Sequence, residues 1–300
     1  MRADLDHLPA AKRRELERVA RILFVEFEDA IKTKLSEKRR AGRILKLILF
    51  GSYARGDWVE DRANGYISDY DLLVVVNVDG FTDLQTWWTG ADEHLVRELT
   101  VTKQLATPVN FIVHSLRDVN GQLGRGRPFF TDIARDGIAL YEAPNHPLAA
   151  PRQLSPAEIL AEAKRHFDHA MPLAAHALKL AKDSIADDVP CDAAFMLHQA
   201  AERAYRCLLL VLTLYSPKSH RLTILRSLAE NLDPRLIVAW PRDTRFARRA
   251  FARLERAYVD ARYSHHYEIS GEELAWLVER VGELQATIAA ICAEQFAGEL

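Results

Sequence analysis

Along the first forty residues, hydrophobic positions recur at intervals of three and four: Leu16, Val19, Leu23, Phe27, Ile31 and Leu35. Lysine, arginine and glutamate fill the positions between them, so the pattern predicts one amphipathic helix over residues 9–38, with Gly42 beyond it as the stop. The period then changes. Residues 45–50 form a short, nearly unbroken apolar run halted by Gly51-Ser52, the signature of a buried strand running into a turn. Residues 72–76 are five consecutive aliphatics, as in a strand covered on both faces. Residues 109–113, after Pro108, are β-branched and aromatic enough for a third strand. A helical stretch over 82–105 separates the last two. Arg127-Pro128-Phe129-Phe130 and the run from Asp136 to Tyr141 predict a closing helix, a turn and a last short strand. This alternation is that of an α/β domain.

The pattern shifts again at residues 143–151, a proline-rich stretch that marks a domain boundary. Ser155-Pro156-Ala157-Glu158 then offers a helix N-cap, a proline at the first helical position and an early acid. From there the period is helical throughout, over about 156–183, 191–214, 222–230, 244–261 and 271–296. The expected organisation is an α/β domain over 1–142 including the N-terminal helix, a linker over 143–154, and an all-α antiparallel bundle over 155–300.

Composition narrows the functions without choosing one. A net charge of −2 over 300 residues provides no global basic field, so any nucleic-acid contact must be local. Cys191, Cys207 and Cys292 are odd in number and lack a CxxC pair, which points to reduced thiols rather than a disulfide frame or zinc site. The charged N-terminus has no apolar signal-peptide core, and the run 208–214 is far too short to span a bilayer. The expectation is a cytoplasmic protein with no membrane partner.

The chemistry is concentrated in Leu47-Ile48-Leu49-Phe50-Gly51-Ser52-Tyr53-Ala54-Arg55-Gly56 and Ser68-Asp69-Tyr70-Asp71-Leu72. Asp69 and Asp71 are two apart at a strand entrance, so their carboxylates project from one face. Two such groups repel unless a cation lies between them, and an all-oxygen site suits Mg²⁺ completed by water and phosphate oxygens. Gly51 and Ser52 end the preceding strand, where backbone N–H groups and the hydroxyl can grip a terminal phosphate. Arg55, one turn on, is placed to neutralise phosphate charge. A lone Gly-Ser is an ordinary turn and a lone Asp-x-Asp is usually solvated; their conjunction between two aliphatic strands is far more specific.

That conjunction resembles the G-S-x-A-R-G…S-D-x-D pattern of the polymerase-beta-like superfamily, in particular the minimal nucleotidyltransferases. The resemblance implies a small mixed sheet, with Gly51, Ser52, Arg55 and Ser68 as nucleotide-binding residues for ATP. It also implies Asp69 and Asp71 as both the Mg²⁺ ligands and the catalytic pair. Two departures stand out. Residues 57–67 are longer than the pattern expects and contain an Asn64-Gly65 turn. Asn110 occupies the strand position where the family places a third acid, and an amide is no general base.

In the second half, the stretch 193–208, Pro217-Lys218-Ser219-His220-Arg221-Leu222 and the stretch 257–267 together resemble the HEPN family of helical bundles. The resemblance implies pairing into a homodimer through the bundle. It also raises an arginine–histidine ribonuclease site, for which Arg262, His265 and His266 are the candidates, at a shorter spacing than that motif. The plainer reading is a polar helix end or a nucleotide- or partner-binding surface. His198 reads as a satisfied, partly buried histidine, and His166 with His169 lacks a third metal ligand. Arg245, Arg249, Arg253 and Arg256 form a cationic stripe, by default a solvated face and alternatively a nucleic-acid surface. The leading expectation is an ATP- and Mg²⁺-dependent nucleotidyltransferase acting on a hydroxyl of RNA, protein or a small molecule. A catalytically weak nucleotide-binding regulator, or a ribonuclease toxin fused to its nucleotidyltransferase antitoxin, are the alternatives.

Overall fold

A computed structural model describes residues 2, 4–32, 41–61 and 66–298. The chain divides into two compact units, the first ending at Gln153 and the second beginning at Leu154.

In the first unit, helix α1 (Ala10–Lys32) leads into strand β1 (Ile44–Phe50) and the five-residue helix α2 (Gly51–Arg55). The predicted end of the first helix at 33–38 and the Asn64-Gly65 turn lie outside the described residues. A small hairpin, β2 (Glu60–Asp61) with β3 (Tyr66–Ile67), precedes β4 (Tyr70–Val76). Helices α3 (Leu84–Trp87) and α4 (Thr89–Thr100) then lead to β5 (Val109–Ser115), α5 (Leu116–Gly124), α6 (Pro128–Asp136) and β6 (Ile138–Glu142). The sheet is mixed, in the order β5-β4-β1-β6. β1 is antiparallel to both β4 and β6, whereas β4 and β5 run parallel, as a helical crossover requires.

Every residue of β1 and β4 is buried, so the unbroken aliphatic runs are those of central strands. One face of the sheet packs against α1, α3 and α4 through Leu47, Leu49, Leu72, Val74 and Phe111, with Leu16, Val19, Leu23 and Phe27 opposite. The predicted single helix over 82–105 is two. Trp87 and Trp88 are adjacent and both buried, and their indole N–H groups donate to Gly80 O and Phe81 O at 2.7 and 2.8 Å. Neighbouring residues in an uninterrupted helix point about 100° apart, so burying both rings is easier where the helix breaks.

The residues expected to form a linker are tied to the first unit. Ala143 N–H donates to Leu45 O, Ala149 N–H to Asn120 Oδ1, and Arg152 N–H to Leu123 O.

The second unit contains α7 (Pro156–Ala186), α8 (Pro190–Thr213), α9 (Leu222–Leu232), α10 (Arg245–Tyr263) and α11 (Gly271–Ala297), with a 3-10 turn over Pro234–Ala239 that periodicity does not reveal. Reciprocal capping boxes start α7 (Ser155 with Glu158) and α11 (Ser270 with Glu273). Helix α8 is central, and its buried Ala193, Ala194, Ala200, Ala201 and Ala204 allow its neighbours close approach. The three cysteines are free thiols, and among the described residues no helix is long and apolar enough to cross a membrane.

Candidate functional site

At the junction of β1, α2 and β4, the residues of the sequence motif come together. Phe50 pairs with Asp71 across β1 and β4, which brings the start of α2 beside that carboxylate. Gly51 has φ +72°, and a Cβ there would lie 2.6 Å from Asp71 Oδ2. Only glycine satisfies both the backbone and the approach. Asp69 directly precedes β4 and Asp71 is its second residue, since β4 starts at Tyr70, where pairing with Val109 of β5 begins. Asp71 is 1 % exposed. On its other side Asp71 pairs in register with Asn110. The Asn110 amide reaches back to donate from Nδ2 to Asp69 Oδ2 at 2.8 Å. Gly51, Asp71, Asn110 and Asp69 therefore form one connected group.

Ser52 Oγ is buried beside this group and has no hydrogen-bond partner among the described residues. A buried hydroxyl without a partner carries a desolvation cost that a phosphate oxygen would offset. Two carboxylates and a hydroxyl are hard oxygen donors of the kind Mg²⁺ takes, so these residues fit that ion together with a phosphate-bearing ligand. Among the described residues no group of three or more His, Cys, Asp or Glu is placed to hold a metal.

The other predicted nucleotide-binding residues are already engaged. Arg55 is half-exposed and donates to Asp57 Oδ2 at 3.1 Å. Ser68 accepts the Val59 N–H at its hydroxyl and donates its own N–H to Val59 O, which ties Val59 to the residue two before β4. Glu60 of that loop pairs with Lys12 of α1.

Lys12 is a residue that periodicity hid. It is buried, donates to Thr107 Oγ1 at 2.7 Å and lies 5.5 Å from the Tyr53 ring centre. Burial opposes its charge, yet the bond to Glu60 and the Tyr53 phenol outweigh it and hold the amine above its usual range. Tyr53 in turn stacks on Trp58 and leans on Tyr70, whose hydroxyl donates to Glu15. The N-terminal helix thus braces α2 from beneath.

In the second unit, Arg262 donates to Tyr258 O at 2.7 Å and lies over the rings of Phe195, Tyr258 and Tyr263. His265 and His266 are exposed in the turn after α10. The imidazoles gathered around Tyr258 are instead His220, stacked at 4.0 Å and 12°, and His198 at 5.3 Å. Half-exposed His220 contacts Glu202 Oε1 at 3.0 Å through Nδ1, and Arg206 Nε meets the same oxygen at 3.0 Å. Buried His198 bonds to His220 O through Nε2, and desolvation lowers its pKa to about 4. Sequence reading left Glu202 and His220 unassigned, because they are 18 residues apart and meet only in the fold.

The arginine stripe is largely turned to structure. Arg249 and Arg253 both clamp Glu273, which is fully buried, and Arg256 pairs with Asp260. Burial pushes the Glu273 carboxyl up, but the Ser270 N–H and the two guanidiniums outweigh it and hold it below its usual range.

These two arrangements coincide with two family matches. Residues 28–113 match the nucleotidyltransferase domain, and residues 167–294 match the HEPN domain. Over 54 residues the chain is 50% identical to a protein of Methanocaldococcus jannaschii named as a protein adenylyltransferase. That match covers 18% of this chain and 43% of the relative, so it spans less than half of that protein. With the motif, the sheet and both matches in agreement, the chain carries a nucleotidyltransferase domain followed by a HEPN domain.

Proposed function

We propose that the first unit binds ATP with Mg²⁺ at Gly51, Ser52, Asp69 and Asp71 and transfers its nucleotidyl group to a hydroxyl acceptor. The observation that carries this reading is the unpartnered, buried Ser52 Oγ at a glycine turn that lies directly against the buried Asp71, where a Cβ on Gly51 would come within 2.6 Å of Oδ2. Ser52 Oγ–H donates to a phosphate oxygen, and the Gly51 turn admits the phosphate chain because no side chain fills it. Asp69 and Asp71 hold the cation, which, when bound, draws charge from the α-phosphate. The acceptor oxygen bonds to the α-phosphorus, the bond to the β-phosphate bridging oxygen breaks, and pyrophosphate leaves. The acceptor proton passes to solvent or to a base on the acceptor, since the Asn110 amide accepts none.

The relative's name makes a protein hydroxyl the first acceptor class to examine, ahead of RNA and small molecules. The test is incubation with α-labelled ATP and Mg²⁺ against each class. Label on an acceptor, lost without Mg²⁺, supports transfer; release of label only as AMP or no turnover at all counts against it. One observation favours a second reading, that of a nucleotide-binding regulator. Asn110 bonds to Asp69 where a base would assist transfer, so saturable binding without label transfer is the outcome that reading expects.

A further inference from the structure

The Asn110 amide presents hydrogen, not a lone pair, to Asp69. Its Nδ2 lies 2.8 Å from Asp69 Oδ2, and the strand register places the same residue beside Asp71. An N–H aimed at a carboxylate oxygen occupies one of that oxygen's coordination directions with partial positive charge. A cation approaching Asp69 from the β5 side meets this donor instead of a ligand. Turning the amide over would set its carbonyl oxygen against the carboxylate, an unfavourable contact of two acceptors. Of the acids in the neighbouring loop, Asp57 pairs with Arg55 and Glu60 with Lys12. Among the described residues no third His, Cys, Asp or Glu joins the two carboxylates in a metal-holding group.

We infer that this site takes a single divalent cation with its nucleotide, supported by Asp69 and Asp71, and that Asn110 is the residue that excludes a second. The inference rests on the reading of the site as an ATP and Mg²⁺ site. A paired-metal site holds its ions roughly 3.5–4 Å apart, each supported by shared carboxylates. Here Asp69 and Asp71 provide a support for one ion, and the third corner of the group is an amide donor. Cation binding is therefore tied to the nucleotide phosphates, and the site binds the loaded nucleotide without a second ion to activate an acceptor. Asn110 acts on the cation count through Asp69, as a positioning residue.

The test uses Mn²⁺ with α,β-methylene-ATP, a nucleotide that cannot be cleaved between its α- and β-phosphates, and reads the full-length protein by electron paramagnetic resonance. Wild type should show one isolated bound Mn²⁺ and no spin-coupled pair. Asn110→Asp should show a spin-coupled pair, and Asn110→Ala, which removes the donor without adding a carboxylate, should keep one ion. A coupled pair in wild type overturns the inference and leaves the nucleotide site standing. A single ion in folded Asn110→Asp overturns it as well. Absence of any protein-bound Mn²⁺–nucleotide in wild type overturns the site reading itself, and the inference with it. If Asn110→Asp does not fold, the wild-type spectrum decides alone.

Discussion

A methyl group on Gly51 would reach to 2.6 Å from Asp71 Oδ2, closer than side-chain carbon and oxygen atoms approach without displacement. The strand pairing of Phe50 with Asp71 and the left-handed turn at Gly51 create this approach together. Gly51→Ala should therefore lose nucleotide binding as well as about 1–2 kcal/mol from the left-handed backbone. Gly56 is the control. It also has positive φ, at +91°, but a Cβ there meets nothing closer than His7 at 3.6 Å. Gly56→Ala should lose similar stability in urea melts yet retain nucleotide affinity. Equal loss of affinity in both would mean that the Gly51–Asp71 approach is incidental.

His198 should set part of the acid sensitivity of the second unit. Its folded pKa is about 4 against 6.5 for the unfolded chain, with burial the largest cause. The unfolded state thus binds a proton first as pH falls. The stabilising contribution is complete above about 6.5 and is lost on descent toward 4, about 2 kcal/mol between pH 7 and pH 5. His198→Gln should flatten the slope of urea midpoint against pH in that window. An unchanged slope would place the titrating group elsewhere.

Glu273 should matter more to stability than the solvent-facing Arg256–Asp260 pair on α10. The carboxylate is fully buried, caps α11 and is clamped by Arg249 and Arg253. Glu273→Ala leaves two guanidiniums uncompensated and removes a cap, at a cost of about 2–4 kcal/mol after allowance for the partly exposed arginines. Arg256→Ala, on a solvent-facing pair, should change the thermal midpoint by little. A Glu273→Ala midpoint within a degree of wild type would contradict this.

What the sequence disclosed followed from what is local. Gly51, Ser52, Asp69 and Asp71 were legible because strand periodicity and turn chemistry place them within two short segments. The helices of the second unit were legible for the same reason, since their apolar period persists over many turns. Contacts between segments were not. Lys12 reads as one more charge on an amphipathic helix, and only the fold shows it buried against Thr107 and Tyr53. The arginine stripe reads as a cationic face until Glu273, twenty residues after Arg253, is seen to fill it. The His220–Glu202 pair and its Tyr258 platform come from three separate segments, so no spacing announces them. Asn110 was legible as a position in a strand, whereas its bond to Asp69 required the parallel pairing of β4 with β5.

In the proposed function, Asp69 and Asp71 hold ATP through a shared cation. The most direct measurement is equilibrium binding of ATP to wild type and to the double variant Asp69→Asn/Asp71→Asn, each with Mg²⁺ and with EDTA. Removing two mutually repelling carboxylates should leave the fold intact and raise the melting temperature of the ligand-free protein slightly. Wild type should bind ATP with Mg²⁺ and lose that affinity in EDTA, while the double variant should bind weakly and equally in both. Unchanged, Mg²⁺-dependent affinity in a folded double variant would contradict the account.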